Sequence, residues 1–259
     1  MKKLTLTLLA VATMCGTAMA QPKVKSLSTS TTKLAVEQLQ VAEQTTLVNR
    51  ILYAGYNSIC LPMTLTADQL QLAARDVRVE RLAGIRQEGS TVCLYFVDCT
   101  ADGIEAGAPY LIYSPKLQNL CARTTQAQSV GTTLHNVSLA DAQGNQVTFG
   151  SSWESLRGNA KRYGIPAKQD TEVLQSILIA TDETKRFLPT RCGFTWNAQS
   201  ATATTLEIRH AASYAQLPTG ISAVSTSQEG KAVYDLSGRR ATVAKKGIYV
   251  VDGKKTAVK

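Results

Sequence analysis

The chain has 259 residues, of which 44% are hydrophobic and 18% are charged, and its formal net charge is +9. This length is enough for one large domain or two small ones with a buried core, and six cysteines are too few for a disulfide-dense scaffold. Eight of the basic residues lie in residues 221–259 beside predicted turns, without interleaved aromatic clusters, which argues against a nucleic-acid-binding protein.

The first twenty residues have the pattern of a cleavable secretory signal peptide. The sequence begins with the basic stretch MKK, continues with an apolar segment at residues 4–11, and then reaches the small residues Ala18 and Ala20. Small residues at these two positions are typical of a signal-peptidase site. The pattern predicts cleavage before Gln21.

The leader also bears on membrane association. Its apolar segment is shorter than the roughly 20 residues that a helix needs to cross a bilayer, and no later stretch approaches that length. We therefore expect an exported, soluble chain without a transmembrane segment, at the outer-membrane surface or in the extracellular space, with the periplasm as an alternative. A lipoprotein anchored at Cys15 is disfavoured, because residues 12–14 lack the leucine and the small residue of a lipobox.

The first part of the mature chain is predicted to be a leader followed by β-structure. Residues 21–45 begin as a polar, Ser/Thr-rich stretch and are expected to form a flexible N-terminal leader, although residues 34–44 are compatible with a strand or a short helix. An apolar run at residues 56–61 predicts a strand. Thr66 and Gln69 have the spacing of a capping box, which predicts a short helix over residues 67–74.

Residues 46–220 are predicted to form a β-sandwich-like domain. The run TVCLYFV at residues 91–97 is apolar at both alternating sets of positions, as expected of a central strand covered on both faces. Turn residues separate the other apolar runs at a spacing typical of sandwiches. These further strands are expected at residues 77–82, 109–113, 133–139, 146–149, 176–180, 191–196 and 204–209, with a loop containing short strands at 153–164. The predicted fold class is all-β with one short helix.

Residues 221–259 are predicted to form a four-strand β-meander. Its strands are expected at residues 231–236, 239–243, 248–251 and 254–258, and the Asp252-Gly253 dipeptide before the last strand is typical of a type I′ hairpin turn. A unit of about 40 residues seldom buries enough surface to be stable alone. We expect it to pack on the preceding domain or to complete a sandwich with it.

This C-terminal segment resembles the C-terminal sorting domain of type IX (Por) secretion substrates, in the short variant common in exported proteins of anaerobic Gram-negative bacteria. The matching stretches are YDLSGR at residues 234–239, GIYVV at 247–251, GKK at 253–255 and VK at 258–259. The resemblance covers about 30 residues and implies that the segment contacts a secretion machinery. It leaves open whether the segment is cleaved.

A second resemblance covers residues 46 to about 221. The stretches RILYAGYNSICLPMTLTADQL at residues 50–70 and GIEAGAPYLIY at 103–113 are similar to a repeated β domain of unknown function in surface proteins of the same bacteria. This chain has Tyr56, Met63 and Ala108 where that domain usually has Trp, Phe and Lys. The resemblance implies a secreted or surface-exposed β protein, with adhesion as one role, and it carries no catalytic residues.

Five cysteines remain after removal of the leader, and an odd number cannot all pair internally. Most are expected to be buried as small hydrophobic residues, although an oxidising environment allows one or two disulfides whose pairing the sequence does not determine. Six residues of extended strand span about 20 Å, so the second and third of these cysteines could join only across a turn. The five are Cys60, Cys93, Cys99, Cys121 and Cys192.

No catalytic, cofactor-binding or metal site is predicted. The chain has only two histidines, His135 and His210, and it lacks the Cys-x-x-Cys and His-Glu-x-x-His spacings of metal sites. A nucleophile pair of Cys192 with His210 has no local signature around either residue. Of the carboxylates, Asp102 and Glu105 flank turn glycines, where hydrogen bonding to the local backbone is the expected role of Asp102.

Six aromatic residues are candidates for a glycan site, although packing in the core is the favoured role for them. They are Tyr53, Tyr56, Tyr110, Tyr113, Trp153 and Trp196. The sequence as a whole predicts a non-enzymatic exported binding protein with a protein or glycan partner. A secreted hydrolase and a structural component of the cell surface are the alternatives.

Overall fold

Short strands joined by turns make up most of the protein in a computed structural model of the chain. The structure describes residues 24–36, 44–48, 50–124, 133–165, 178–218, 222–223, 233–234, 240–241, 247–251 and 254–258. Within these ranges no helix has the length and apolar character to cross a membrane. The predicted signal peptide at residues 1–20 lies outside them.

The elements are numbered in chain order. The first group comprises β1 (Val24–Ser28), β2 (Gln44–Val48), β3 (Arg50–Leu52), β4 (Gly55–Ile59), α1 (Ala67–Ala73), β5 (Arg78–Glu88), β6 (Thr91–Asp98), β7 (Tyr110–Ser114), β8 (Gln118–Leu120) and β9 (Arg123–Thr124). The second comprises β10 (Val137–Ala140), β11 (Gln146–Ser151), β12 (Leu156–Arg157), β13 (Arg162–Gly164), β14 (Ile179–Ala180), β15 (Arg186–Phe187), β16 (Cys192–Asn197) and β17 (Thr205–Ala211). The last comprises β18 (Ser222–Ala223), β19 (Val233–Tyr234), β20 (Arg240–Ala241), β21 (Gly247–Val251) and β22 (Lys254–Val258).

The larger of the two main sheets has the order β17-β6-β5-β7-β4, with β18 paired to β5. Strand β6 lies between β5 and β17, and six consecutive residues of it are buried. This confirms the prediction of a central strand with both faces covered. Strand β17 runs parallel to β6, whereas the other pairs along this order are antiparallel.

The second main sheet has the order β10-β11-β16-β13-β14 and packs against one face of the first. Phe96 of β6 meets Phe149 of β11 and Phe194 of β16 edge to face, at centroid distances of 5.4 and 6.2 Å. Because burying apolar side chains is the main stabilising contribution to folding, this shared core holds the two sheets together. The arrangement confirms the predicted all-β fold class.

Helix α1 begins with the capping box expected from the sequence. The backbone N–H of Gln69 donates to Thr66 Oγ1 over 3.3 Å, and the backbone N–H of Thr66 donates to Gln69 Oε1 over 3.0 Å. The helix buries Leu70 in a second core on the other face of the larger sheet, with Val79 and Ile112. One face of each of β4, β5 and β7 therefore packs against the second sheet, and the other face packs on this helix side.

The stretch expected to be a flexible leader, residues 21–45, contributes to the fold where it is described. Strand β1 runs parallel to β2, and the backbone N–H of Leu34 donates to the carbonyl of Trp153 over 2.7 Å. Leu34 and Val36 are each 1% exposed within the helix-side core. Burial of these two side chains favours an ordered backbone around them, whereas the polar sequence before them predicts a flexible one.

The C-terminal segment contains the four expected strands, in the order β20-β19-β21-β22. Strand β21 pairs with β19 instead of β20, so the order is not that of a simple meander, and β19 has a hydrogen-bonded neighbour on each side. At the start of the segment, β18 pairs Ser222 with Ile85 of β5. Residues 222–223 thus extend the larger sheet of the preceding domain.

Candidate ligand-binding site

An open cleft lies where β16 ends and the chain turns towards β17. Its volume is about 630 Å³, within the range of sites that bind small molecules. Three side-chain amides, two aromatic rings and one cation stand out among the lining residues, and no carboxylate is among them. These residues are Gln146, Lys161, Tyr163, Trp196, Asn197 and Gln199.

Two aromatic rings form the rigid part of the cleft. Tyr163 of β13 and Trp196 of β16 meet edge to face at a centroid distance of 5.5 Å and an interplanar angle of 62°. Trp196 also belongs to the core between the sheets, and its indole Nε1 has no hydrogen-bond partner among the described residues. The ring of Trp196 is buried in the core between the sheets, and the half-buried ring of Tyr163 packs against it.

A buried asparagine positions the rim of the cleft. Asn145 is fully buried, and its Oδ1 accepts hydrogen bonds from the backbone N–H groups of Gln199 and Ser200, over 3.0 and 3.2 Å. Its Nδ2 donates to Asp141 Oδ2 and to Gln87 Oε1, over 2.8 and 2.9 Å. Both polar atoms of this side chain are therefore used, and they connect the rim loop to the turn before β11 and to β5.

Sequence reasoning did not single out Asn145. The signal was present in the segment Asp141-Ala142-Gln143-Gly144-Asn145, because Asp and Asn beside a turn glycine favour side-chain bonds to the backbone. Gly144 has a φ of +83°, and Asp141 Oδ1 accepts from the backbone N–H groups of Gln143 and Asn145, over 3.0 and 2.9 Å. What the sequence did not indicate is that this turn supports a loop about 55 residues further along the chain.

A second polar cluster lies on the inner face of the larger sheet. The imidazole Nδ1 of His210 lies 2.6 Å from Glu80 Oε2, and the hydroxyl of Tyr56 donates to Glu80 Oε1 over 3.3 Å. The rings of Tyr56 and His210 stack at 4.1 Å. Since β4 and β17 end the strand order on opposite sides, this stacking requires a strongly curved sheet. The cluster satisfies the buried carboxylate of Glu80 with a hydrogen bond to each of its oxygens.

The structure does not bring Cys192 and His210 together, in agreement with the lack of a local signature for a nucleophile pair. Cys192 lies beside Cys60, whereas the imidazole of His210 contacts Glu80 and Tyr56. Burial raises the pKa of the Cys192 thiol well above its ordinary value, and the contact with Cys60 raises it further. A buried thiol with a raised pKa is a poor nucleophile.

The carboxylates Asp102 and Glu105 are both exposed and do not form a catalytic pair. The expectation that Asp102 bonds to the local backbone is wrong, because its carboxylate forms an ion pair with Arg81 of β5. Asp98 has the backbone role instead, since its Oδ1 accepts from the N–H of Thr100 over 2.8 Å. Of the six aromatic residues considered as candidates for a glycan site, only Trp196 lines the cleft.

One buried cation was not expected from the sequence. Arg50 of β3 is 2% exposed, and its guanidinium donates to the backbone carbonyls of Ile51 and Ser58. No carboxylate pairs with it among the described residues, and its Nε has no hydrogen-bond partner there. Burial lowers the pKa of Arg50 to about 9, well below the ordinary value for arginine, and the nearby charge of Arg191 acts in the same direction.

The fold and the cleft define an all-β protein of two packed sheets with an open, carboxylate-free surface site. In the part of the chain that the structure describes, no three His, Cys, Asp or Glu side chains are grouped so that they could hold a metal ion. No protein-family model, no curated protein and no solved structure matches this chain. The two resemblances drawn from its sequence therefore stay predictions.

Proposed function

We propose that this protein is an exported, non-enzymatic glycan-binding protein whose ligand site is the cleft beside β16. The single observation that carries the proposal is the pairing of fixed aromatic rings with three side-chain amides in that cleft. A sugar presents an apolar C–H face and a set of hydroxyl groups. An aromatic ring can cover that face, while an amide can both donate to and accept from the hydroxyls.

The hydrogen bonding of the three cleft amides supports a sugar as the ligand. The side chains of Gln146, Asn197 and Gln199 have no hydrogen-bond partner among the described residues, so they are available to a ligand. Asn145 fixes the backbone of the loop that carries Gln199. Because that loop is already held, little ordering entropy is lost when a ligand binds.

The charge of the cleft narrows the ligand class. Lys161 is the one cation among the lining residues, and no acidic residue is among them. The cleft is therefore compatible with neutral sugars, and with acidic sugars through Lys161, whereas a cationic ligand would find no counter-charge there.

A glycan array probed with the full chain, followed by titration calorimetry on the best-bound sugar, tests the proposal. Tyr163→Ala is expected to weaken binding by about tenfold, which corresponds to about 1.4 kcal/mol, and Asn197→Ala is expected to weaken it as well. The matched controls are Tyr214→Ala and Asn119→Ala, which remove exposed side chains outside the cleft. These controls should bind as tightly as the unchanged protein.

Two results would contradict the glycan assignment. One is an array without any bound sugar, and the other is binding that Tyr163→Ala and Asn197→Ala leave unchanged. Turnover of a glycosidic or peptide substrate by the purified chain would favour the secreted hydrolase instead. Recovery only within a multi-subunit surface assembly would favour the structural component.

The proposed location is supported by the sequence of the leader and by the sorting-like C-terminal segment. We expect the protein in the outer-membrane or extracellular fraction of its host, with a mature N-terminus at Gln21. Fractionation with N-terminal sequencing measures both, and mass spectrometry of the same material shows whether the C-terminal segment is retained. An intact Met1 on cytosolic protein would overturn the export proposal without touching the cleft.

A further inference from the structure

Two buried cysteines lie where the end of β4 in the larger sheet meets the start of β16 in the second sheet. Cys60, which follows β4, is fully buried, Cys192 at the start of β16 is 2% exposed, and the nearby Cys60 thiol raises the pKa of Cys192. Both are free thiols in this structure. They belong to different sheets and are separated by more than 130 residues of sequence.

Backbone contacts around the two thiols hold them side by side. The hydroxyl of Ser58 donates to the carbonyl of Cys192 over 2.8 Å and accepts from its N–H over 2.9 Å. The N–H of Cys60 donates to the carbonyl of Thr190 over 3.1 Å. These three bonds join the two segments that carry the thiols, so the backbone places Cys60 and Cys192 next to each other.

We propose that Cys60 and Cys192 are a disulfide site that joins the two sheets covalently. Of the other described cysteines, Cys121 is exposed, Cys93 lies on β6, and Cys99 lies in the helix-side core. The site is independent of the cleft beside β16 and of any glycan. One bridge between Cys60 and Cys192 leaves the other three described cysteines as free thiols.

The bond forms by thiol–disulfide exchange with a low-molecular-weight disulfide such as oxidised glutathione. A thiolate from one cysteine attacks the oxidant, giving a mixed disulfide and releasing one reduced thiol. The second cysteine then attacks the mixed disulfide and releases another reduced thiol. The protein loses two electrons and two protons, and the oxidant takes up both pairs as its S–S bond breaks.

Burial determines when this exchange takes place. In the folded protein both sulfur atoms are shielded, and burial disfavours the thiolate of Cys192 that would have to attack. The positive charge of Arg50 acts in the opposite direction on Cys192 but is the smaller influence. The exchange is therefore fast while the chain is folding and slow once the sheets have closed.

The test uses the full chain, unfolded in a reducing denaturant and refolded with or without reduced and oxidised glutathione. Free thiols are then blocked with iodoacetamide, and tryptic peptides are mapped without reduction. We expect a peptide pair that links Cys60 to Cys192. The bridge closes a loop of about 130 residues, so the melting temperature of the oxidised protein should exceed that of the reduced protein by roughly 10 °C.

The variants Cys60→Ala and Cys192→Ala should abolish this oxidation-dependent shift, while the matched control Cys93→Ala, which removes a buried thiol outside the pair, should keep it. Native protein treated with the same oxidant should form the link at least tenfold more slowly than refolding protein. Recovery of both Cys60 and Cys192 as alkylated thiols after oxidative refolding would overturn the proposal. A bridge to Cys93, Cys99 or Cys121 in place of this pair would also overturn it.

Discussion

Replacing Phe194 with alanine is expected to lower the free energy of unfolding by about 3–5 kcal/mol, as is typical of large-to-small changes at a fully buried aromatic residue. Phe194 stacks on Phe149 at a centroid distance of 4.5 Å and an interplanar angle of 13°, and both are fully buried. Phe96 meets them from the opposite sheet. The truncated side chain leaves a cavity between two sheets that are each stiffened by backbone hydrogen bonds, so the site relaxes little.

The four phenylalanines of the chain provide their own control. Phe187 is only half-buried and packs over the glycines Gly164 and Gly193, so Phe187→Ala should cost less than half as much. Denaturant unfolding followed by fluorescence measures both variants. Similar losses for Phe194→Ala and Phe187→Ala would contradict the placement of the core between the two sheets.

A double-mutant cycle measures the coupling between Phe149 and Phe194 directly. Phe149 and Phe194 belong to one stack, so the losses of their single alanine variants should not add, with a coupling of about 0.5–1.5 kcal/mol. Phe194 paired with Leu70, which lies in the helix-side core, should show additive losses. If the losses of stability from Phe149→Ala and Phe194→Ala add, the two rings are not stacked in the folded protein.

The parts of the fold that the sequence predicted are those specified by neighbouring residues. The double apolar pattern at residues 91–97 predicted that β6 is central, because such a pattern can be satisfied only when both faces are covered. The spacing of Thr66 and Gln69 predicted the start of α1, because a capping box depends only on two residues that are three positions apart in the sequence.

The parts that it did not predict depend on residues far apart in the chain. His210 and Glu80 are 130 residues apart, and Ser58 and Cys192 are 134 apart. No local pattern indicates such pairs, since the first depends on how β5 and β17 are placed within one sheet and the second on how the two sheets meet. The cleft likewise combines distant parts of the chain, because its aromatic and amide residues come from β11, β13, β16 and the loop after β16, and Trp196 was anticipated only as one of six aromatic candidates.

Arg50 shows most clearly what packing adds to sequence. From the sequence alone, Arg50 is expected at the surface, where most arginines lie. In the fold it is enclosed where β3, β4 and β16 approach one another, with carbonyl oxygens as its partners and Arg191 nearby. Burying a cation without a carboxylate costs several kcal/mol, and part of that cost is relieved when the group loses its proton.

The stability of the protein relative to Arg50→Met is therefore expected to rise with pH in the alkaline range. Burial lowers the pKa of Arg50 in the folded chain to about 9, well below the ordinary value for arginine that applies in the unfolded chain. Below about pH 9 both the folded and the unfolded chain hold the proton, so this group adds no pH dependence. Between the two values the unfolded chain still holds the proton that the folded chain has released, and folding gains about 1.4 kcal/mol per pH unit.

Denaturant unfolding of both proteins at about pH 8 and about pH 10.5 measures this gain, which should be about 2 kcal/mol in favour of the unchanged chain. The comparison with Arg50→Met is essential, because other buried groups titrate in the same range and act in the opposite direction. Burial raises the pKa of Cys99 and of Tyr110 to about 12, so the folded chain retains protons that the unfolded chain loses, and both variants lose stability equally as the pH rises. Their effects cancel in the difference. If the difference stays constant over this range, Arg50 keeps its ordinary pKa in the fold, and a counter-charge must then accompany it inside the protein.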